Sequence, residues 1–304
     1  MRFFIPSHFV IFENNAISSI VCFIYKHKSE SNLFKFFLLI IAATMILNIT
    51  PAIAHGPVFS PGSETLYKNG IEFQAGYFSS KNAADSEYEL AMGLGYGINQ
   101  DWEISMELPY LNIDEGGSKN NGTSNVQLET KYRFWRHNSF AKQDSVTGFI
   151  KAVLDTAKKT SSPSLSSGTN DFITGLAYGQ ESLIWQHWAS FRYRYNGKSN
   201  TDIERGNQLF ADASMGWRSE PPQYYESDTL WMVELNTEYT QASRKNNISL
   251  ANTGGTELFI SPGIILAYRN VALKSGVQLP IYSNLSGAQK KSDYRLKFTL
   301  DINF

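Results

Sequence analysis

Few residues in this chain have the types and spacing to do covalent chemistry. Beyond residue 54 the only histidines are His55, His137 and His187. His137-Asn138-Ser139 puts a histidine and a serine two apart, which on a strand places both side chains on one face. A Ser–His pair can hydrolyse esters if the base lies within hydrogen-bond reach of the nucleophile. Here the pair falls in a short turn, so an esterase is the weaker reading and no enzyme is expected. His55 reads as a new N-terminus after processing, where an α-amine and an imidazole together can chelate a metal such as Cu²⁺. A solvated terminus is the plainer reading. His187 lies between Trp185 and Trp188 and reads as an interfacial side chain. No glycine motif for phosphate is present, no cofactor is implied and no metal site is expected.

The remaining chemistry is electrostatic. Glu72, Glu103, Glu107, Glu129, Glu234 and Glu238, with Lys131, Arg133, Arg192, Arg194, Arg295 and Lys297, each sit between apolar neighbours in alternating segments. In phase with them stand Glu89, Asp212, Glu257, Asp301, Lys151 and Lys274. Acids and bases are nearly balanced, whereas a strongly ion-selective pore would show a one-sided ring. The balance predicts cross-strand ion pairs. Glu103 and Glu107 are placed to meet Lys131 and Arg133, and Arg295 and Lys297 to meet Glu72. A solute path lined by the same residues is compatible with this.

Composition narrows the elements that carry these charges. The chain has 304 residues, 27 Lys+Arg against 28 Asp+Glu, one Cys, 18% charged and 14% aromatic residues. Near-neutral charge argues against a polybasic nucleic-acid binder. One cysteine excludes a disulfide framework or a multi-cysteine metal site. Charge is below the roughly 25% of a soluble domain, and a mean hydropathy of −0.28 excludes a helical membrane protein.

Residues 33–54, LFKFFLLIIAATMILNITPAIA, place Lys35 before an apolar run that Pro51 breaks, and Ala52-Ile53-Ala54 supplies a small-x-small cleavage pattern. This predicts a secretory signal peptide rather than a span, because the apolar run falls short of the ~20 residues a helix needs. Residues 1–32 read as an N-terminal extension from a misassigned start. Export would remove Cys22.

The chain beyond residue 66 alternates with period two. Tyr294, Leu296, Phe298, Leu300, Ile302 and Phe304 share one face, with Arg295, Lys297, Thr299, Asp301 and Asn303 on the other. The same pattern marks segments around residues 71–77, 89–96, 102–110, 126–134, 188–195 and 231–239. Less clean segments lie near 146–155, 171–180, 207–217, 256–268 and 271–281. Short connections near 98–101, 137–144, 179–182, 218–228 and 269–270 alternate with polar loops near 79–86, 114–124, 157–170, 196–206, 241–254 and 283–292. That asymmetry predicts an all-β, transmembrane, antiparallel up-and-down β-barrel of about 12 strands over 67–304, with apolar side chains on lipid and charges in the lumen. Tyr77, Tyr110, Phe134, Trp135, Trp185, Tyr195, Trp217, Trp231, Tyr239 and Tyr294 suit two interfacial girdles.

Four stretches go beyond the pattern: GYGINQDWEISMELPYL (95–111), SNVQLETKYRFW (124–135), NTGGTELFISPGIIL (252–266) and VQLPIYSNLSG (277–287). With the terminal DYRLKFTLDINF they resemble the outer-membrane family named after the MetA pathway of phenol degradation. The resemblance implies an outer-membrane transporter, some members being thought to admit aromatic or hydrophobic compounds. It also implies that the terminal strand, Tyr294, Leu296, Phe298, Leu300, Ile302 and Phe304, is the signal read by the barrel-assembly machinery. The loop after the fifth strand departs from the family, with Asp155-Thr156-Ala157-Lys158-Lys159 where a Pro-Thr-Gly element is frequent.

A barrel of this size is narrower than the 16–18-stranded porins with open channels. Residues 55–66, HGPVFSPGSETL, are not strand-like and read as a periplasmic or plug segment. The expectation is a passive channel for small solutes in the outer membrane, in contact with membrane lipid and lipopolysaccharide. The alternative is a non-transporting structural or docking barrel with a lumen filled by ion pairs.

Overall fold

The computed structural model describes residues 56–83, 85–157, 162–198, 203–221 and 226–304. The expected extension (1–32), the signal peptide (33–54) and His55 lie outside the described residues.

Twelve long strands succeed one another along the chain. β1 Ile71–Asn82, β2 Asp85–Asn99, β3 Trp102–Glu115, β4 Gln127–Ser139, β5 Lys142–Val153 and β6 Asp171–Ser182 make the first half. β7 Trp185–Tyr195, β8 Gln208–Trp217, β9 Asp228–Thr240, β10 Gly255–Tyr268, β11 Val271–Leu285 and β12 Tyr294–Asn303 make the second. Each pairs antiparallel with its chain neighbour, and β1 pairs with β12 from Glu72↔Asn303 to Lys81↔Tyr294. The sheet is therefore a closed barrel. Lipid offers no hydrogen bonds to backbone groups, so a sheet there cannot keep an edge. Phe304 and Ile71 complete the seam with a reciprocal pair of backbone hydrogen bonds of 2.8 and 3.1 Å.

The period-two pattern maps onto the wall. Leu90, Met92, Leu94 and Tyr96 of β2 are exposed, while Glu89, Ala91, Gly93 and Gly95 face inward and are more covered. Trp102, Trp135, Trp185, Trp217 and Trp231 are exposed towards the end where β1 begins and β12 ends (the turn end), and Tyr110, Tyr195, Tyr239 and Tyr294 towards the other (the loop end). Tyr77 is half-buried instead, between Tyr88 and Phe298 with ring centroids 6.5 and 6.2 Å away.

Several connections are tighter than the composition suggests. The loop expected near 79–86 is a hairpin closed by Asn82↔Asp85, with Ala83 at φ 55°. The loop near 114–124 is a hairpin as well. Ser118–Thr123 pairs back on Tyr110–Glu115 through Gly116 and Gly117, whose φ values of 59° and 90° suit glycine. At the turn end the connection near 137–144 shrinks to Phe140–Ala141, so His137 and Ser139 end β4. Local hydrogen bonding extends these strands through residues whose polarity reads as loop.

The division into lipid-facing apolar and lumenal charged residues also needs correction. Leu111 and Ile113 point inward and are buried with Ala157 and Leu165 of the β5–β6 loop. Trp188, Leu230, Met232 and Ile265 point inward and pack with Val58 and Phe59. At both levels another segment lies inside the wall and gives lumenal apolar residues something to cover.

The chain enters β1 close against β2. Asn69 N–H donates to Gly97 O at 2.7 Å, and a Cβ on Gly97 would lie 2.0 Å from the Tyr67 carbonyl oxygen. Gly97→Val is expected to destabilise the barrel by about 1–3 kcal/mol, the usual cost of overpacking. Urea unfolding of the refolded protein in lipid measures this, and an unchanged midpoint would refute the close approach.

Candidate functional site in the barrel lumen

Two layers fill the lumen: a chain segment and a set of ion pairs. The segment runs from Gly56 to Tyr67. Its prolines and glycines disfavour a strand, so its backbone groups need partners elsewhere. The largest share comes from one carboxylate. Glu234 of β9 is fully buried and accepts hydrogen bonds from the backbone N–H of Val58 (2.7 Å), Phe59 (3.0 Å) and Ser60 (3.1 Å). The Ser60 hydroxyl adds a fourth at 2.8 Å. Such an arrangement satisfies a buried charge without a cation.

Further along, Ser63 Oγ meets Ser145 Oγ at 2.7 Å and Thr147 Oγ1 donates to Ser63 O at 2.5 Å. Trp188 Nε1 donates to Glu64 Oε1 at 2.6 Å, and Lys131 Nζ donates to Glu64 O at 3.2 Å. Leu66 N–H donates to Glu103 Oε2 at 2.7 Å, and the Tyr67 hydroxyl donates to the terminal Phe304 carbonyl. The segment is thus held by β3, β4, β5, β7, β9 and the chain terminus.

The ion pairs bring together some of the charges named from the sequence. Glu103 and Lys131 stand in register on β3 and β4 and pair at 3.3 Å. Glu129 and Lys151 repeat this on β4 and β5 at 3.2 Å. Arg192 binds Asp212 at 2.8 Å, and its guanidinium lies 4.7 Å from the Phe210 ring centroid. Arg194 binds Asp171 at 2.7 Å, and Lys274 binds Asp301 at 3.0 Å. Arg295 reaches from β12 to β9, gripping Glu238 with two nitrogens at 2.6 and 3.0 Å, and lies 4.0 Å from Glu257 on β10.

Three expected pairings do not form. Arg133 binds Asp101 at 2.9 Å at the turn end, where its own backbone N–H also donates to Asp101 O at 2.7 Å, just before β3 begins at Trp102. Glu107 stands opposite Gln127 rather than a base. Glu72 stands opposite Asn303, whereas Arg295 and Lys297 stand opposite Ser80 and Phe78, which lie eight and six residues further along β1.

Other members of the site escape a reading of the sequence. Asp171, fully buried, accepts from Arg194, Arg205, Thr169 Oγ1 and Gly197 N–H. Its one signal is its phase with Ile173, Gly175 and Ala177. Glu64 has no such signal, because it lies outside any periodic segment.

Around the segment lie lumenal cavities of about 320 Å³, about 260 Å³ and about 150 Å³. Phe59, Gln74, Glu107, Arg192, Lys297 and Thr299 line both of the larger two. Towards the loop end the 260 Å³ cavity carries Phe78, Phe210, Glu89 and Arg295; the 320 Å³ cavity carries Glu72, Glu103, Glu129, Lys131 and Lys151.

The structure does not bring the Ser–His pair together. The Ser139 hydroxyl donates to Lys142 O at 3.4 Å, and His137 stacks on Trp135. Among the described residues no group of three or more His, Cys, Asp or Glu side chains is placed to hold a metal ion.

A closed antiparallel barrel with an apolar outer band, aromatic belts and a charged interior defines the outer-membrane β-barrel class. Within that class, residues 97–284 match the family described as "Putative MetA-pathway of phenol degradation", and the chain belongs to this family. The fold is similar to the crystal structure of an outer membrane channel from Pseudomonas putida F1, with a TM-score of 0.66 and 12% identity over 81% of this chain and 99% of that one. The NanC porin gives a TM-score of 0.45 at 13% identity, covering 77% of this chain and 98% of that one. The KdgM porin gives 0.39 at 10% identity, covering 77% and 99%. No curated protein matches the chain in sequence.

Glu234→Ala would leave three buried N–H groups and a hydroxyl without their acceptor, at a cost of order 3 kcal/mol. The expected outcome is amide exchange at Val58–Ser60 faster by about two orders of magnitude, with exchange in the strands unchanged. Unchanged protection at those three amides would show that Glu234 does not hold the segment.

Proposed function

We propose that this protein is a passive channel of the outer membrane for small solutes, with aromatic or hydrophobic compounds as the class that the family name suggests. The observation that carries the reading is the space left beside the inner segment within a closed barrel, in cavities of about 320 Å³ and about 260 Å³ that share six lining residues. The family match and the likeness of fold support it. In this reading residues 56–66 are a plug that narrows the lumen, the termini face the periplasm, and the ion pairs fix the wall against the plug.

The rival reading, a sealed structural barrel, is favoured by one observation: the fourfold grip of Glu234 on the plug. Single-channel recording on the refolded barrel, with and without aromatic solutes, separates the two. A channel predicts small steady currents that a solute modulates, and larger currents once residues 56–66 are deleted. Silence from both folded forms would leave the structural reading.

The terminal strand is proposed as the assembly signal. Tyr294 and Phe298 are exposed, Leu296, Leu300 and Phe304 half-buried, and Ile302 is buried with Phe73 and Val271 as register partners. Deleting Phe304 also removes the seam bonds to Ile71. The deletion is expected to lower the amount of heat-modifiable barrel in outer-membrane fractions severalfold. Phe304→Ala, which keeps the backbone bonds, separates recognition from seam loss: normal levels of this variant would reject the signal.

A further inference from the structure

The outer wall at the turn end is apolar on most strands. Ile71, Tyr96, Trp102, Trp217, Trp231 and Tyr268, one each from β1, β2, β3, β8, β9 and β10, are exposed there. β4 to β7 break the pattern. Their outward positions at this end carry His137, Asp144, Gln180 and His187, which are successive register partners across the four strands. One step nearer the turns, Ser139, Lys142 and Ser182 make a second polar row. This sector does not hang clear of the aromatic belt. His137 lies two residues outside Trp135 on β4, but His187 lies two residues inside Trp185 on β7, about 7 Å along the strand. It therefore straddles the belt, where a barrel wall meets lipid headgroups.

What the sector offers outward is donors. Asp144, its one carboxylate, is buried and taken up by the protein. It accepts from the Tyr178 hydroxyl at 2.8 Å and from Gln180 Nε2 at 3.0 Å, and it pairs with Lys142 at 3.3 Å. These contacts fix Lys142 on the outer face, where its side chain is 39% exposed and an ammonium with three N–H groups has donors to spare. His137 is exposed and stacked on Trp135, with ring centroids 6.4 Å apart. Its ring nitrogens make no hydrogen bond or ion pair among the described residues. His137 and Lys142 are diagonal neighbours on adjacent strands, a separation that long side chains bridge. An imidazole and an ammonium thus converge at headgroup level with no exposed carboxylate beside them. The acceptor that a bilayer brings to that level is the phosphodiester of a phospholipid. Deeper on the same wall the outward residues turn apolar, with Val146, Leu176, Ala189 and Phe191, which matches the acyl chains below a headgroup.

We propose that His137 and Lys142 form a phospholipid headgroup site on the outer wall, both donating to the phosphodiester, with Asp144 as the residue that positions Lys142. The site stands whether or not the lumen conducts.

The test is native mass spectrometry of the full barrel purified from membranes in mild detergent. It is titrated with phosphatidylglycerol or with a diacylglycerol of the same chains, which lacks the phosphate. Wild type is expected to retain phosphatidylglycerol about threefold or more tightly than diacylglycerol, the scale of one weak ion-pair interaction. The double substitution His137→Phe with Lys142→Gln is expected to bring the ratio near one, and Lys142→Arg to keep it. His187→Phe, three strands from His137, is expected to leave it unchanged. Heat-modifiability of each variant shows that it has folded. Equal retention of the two lipids by wild type would overturn the proposal, as would a preference that survives the double substitution. A loss with His187→Phe as large as with the double substitution would overturn the assignment to these two residues. Displacement of phosphatidylglycerol by inorganic phosphate at equal concentration would show a site for free phosphate and reject the lipid.

Discussion

The structure depends on one constraint: a backbone in hydrocarbon must find every hydrogen bond within the protein. A twelve-strand sheet meets it only if the first strand reaches the last. Closure between β1 and β12, extended to Phe304 and Ile71, is what makes the outer face a continuous apolar band. Closure then creates the second problem. The inner face of the same strands is shut away from lipid and mostly from water, so whatever points inward must be paired, packed or covered. Ion pairs answer this at mid-height, an inner chain segment answers it towards the turn end, and a folded loop against Leu111 and Ile113 answers it towards the loop end.

Glu234 shows how far the inner segment and the wall are one design. Its fully buried carboxylate would be untenable in an empty lumen. The N–H groups of Val58, Phe59 and Ser60 would be equally untenable without an acceptor. Each removes the other's penalty, so the segment is held by the cost of separating two unsatisfied partners. Trp188 and Glu64 repeat the logic on another wall, where an indole N–H that faces the lumen needs an acceptor and the segment supplies it.

The barrel is legible in the sequence because the property that defines it is local. Alternation in β2, β3 and β12 can be read residue by residue, and it fixes which face each side chain takes. Pairing is not local. Glu103 and Lys131 can be placed together because one hairpin and one connection separate them. Arg295 and Lys297 cannot be placed against Glu72 in the same way, because the register of the closing seam, Glu72↔Asn303, depends on the whole circumference. The grip of Glu234 on residues more than 170 positions earlier is beyond reach for the same reason, as is the part played by Glu64. Strand ends mislead where polar residues such as Asn82, Asp85 and Lys142 continue the ladder past the apolar band.

Register also explains why the lumen is uneven. Cross-strand neighbours such as Glu129 and Lys151 lie opposite one another and neutralise at no conformational cost. Positions two strands or more apart meet only if a long side chain spans the gap, as Arg295 does to reach Glu238. Glu107 has Gly93 and Gln127 as its register neighbours, and Lys297 has Phe78 and Gly276, so neither meets an opposite charge directly across the ladder. Register therefore decides which lumenal charges are neutralised by a strand neighbour and which act only at longer range.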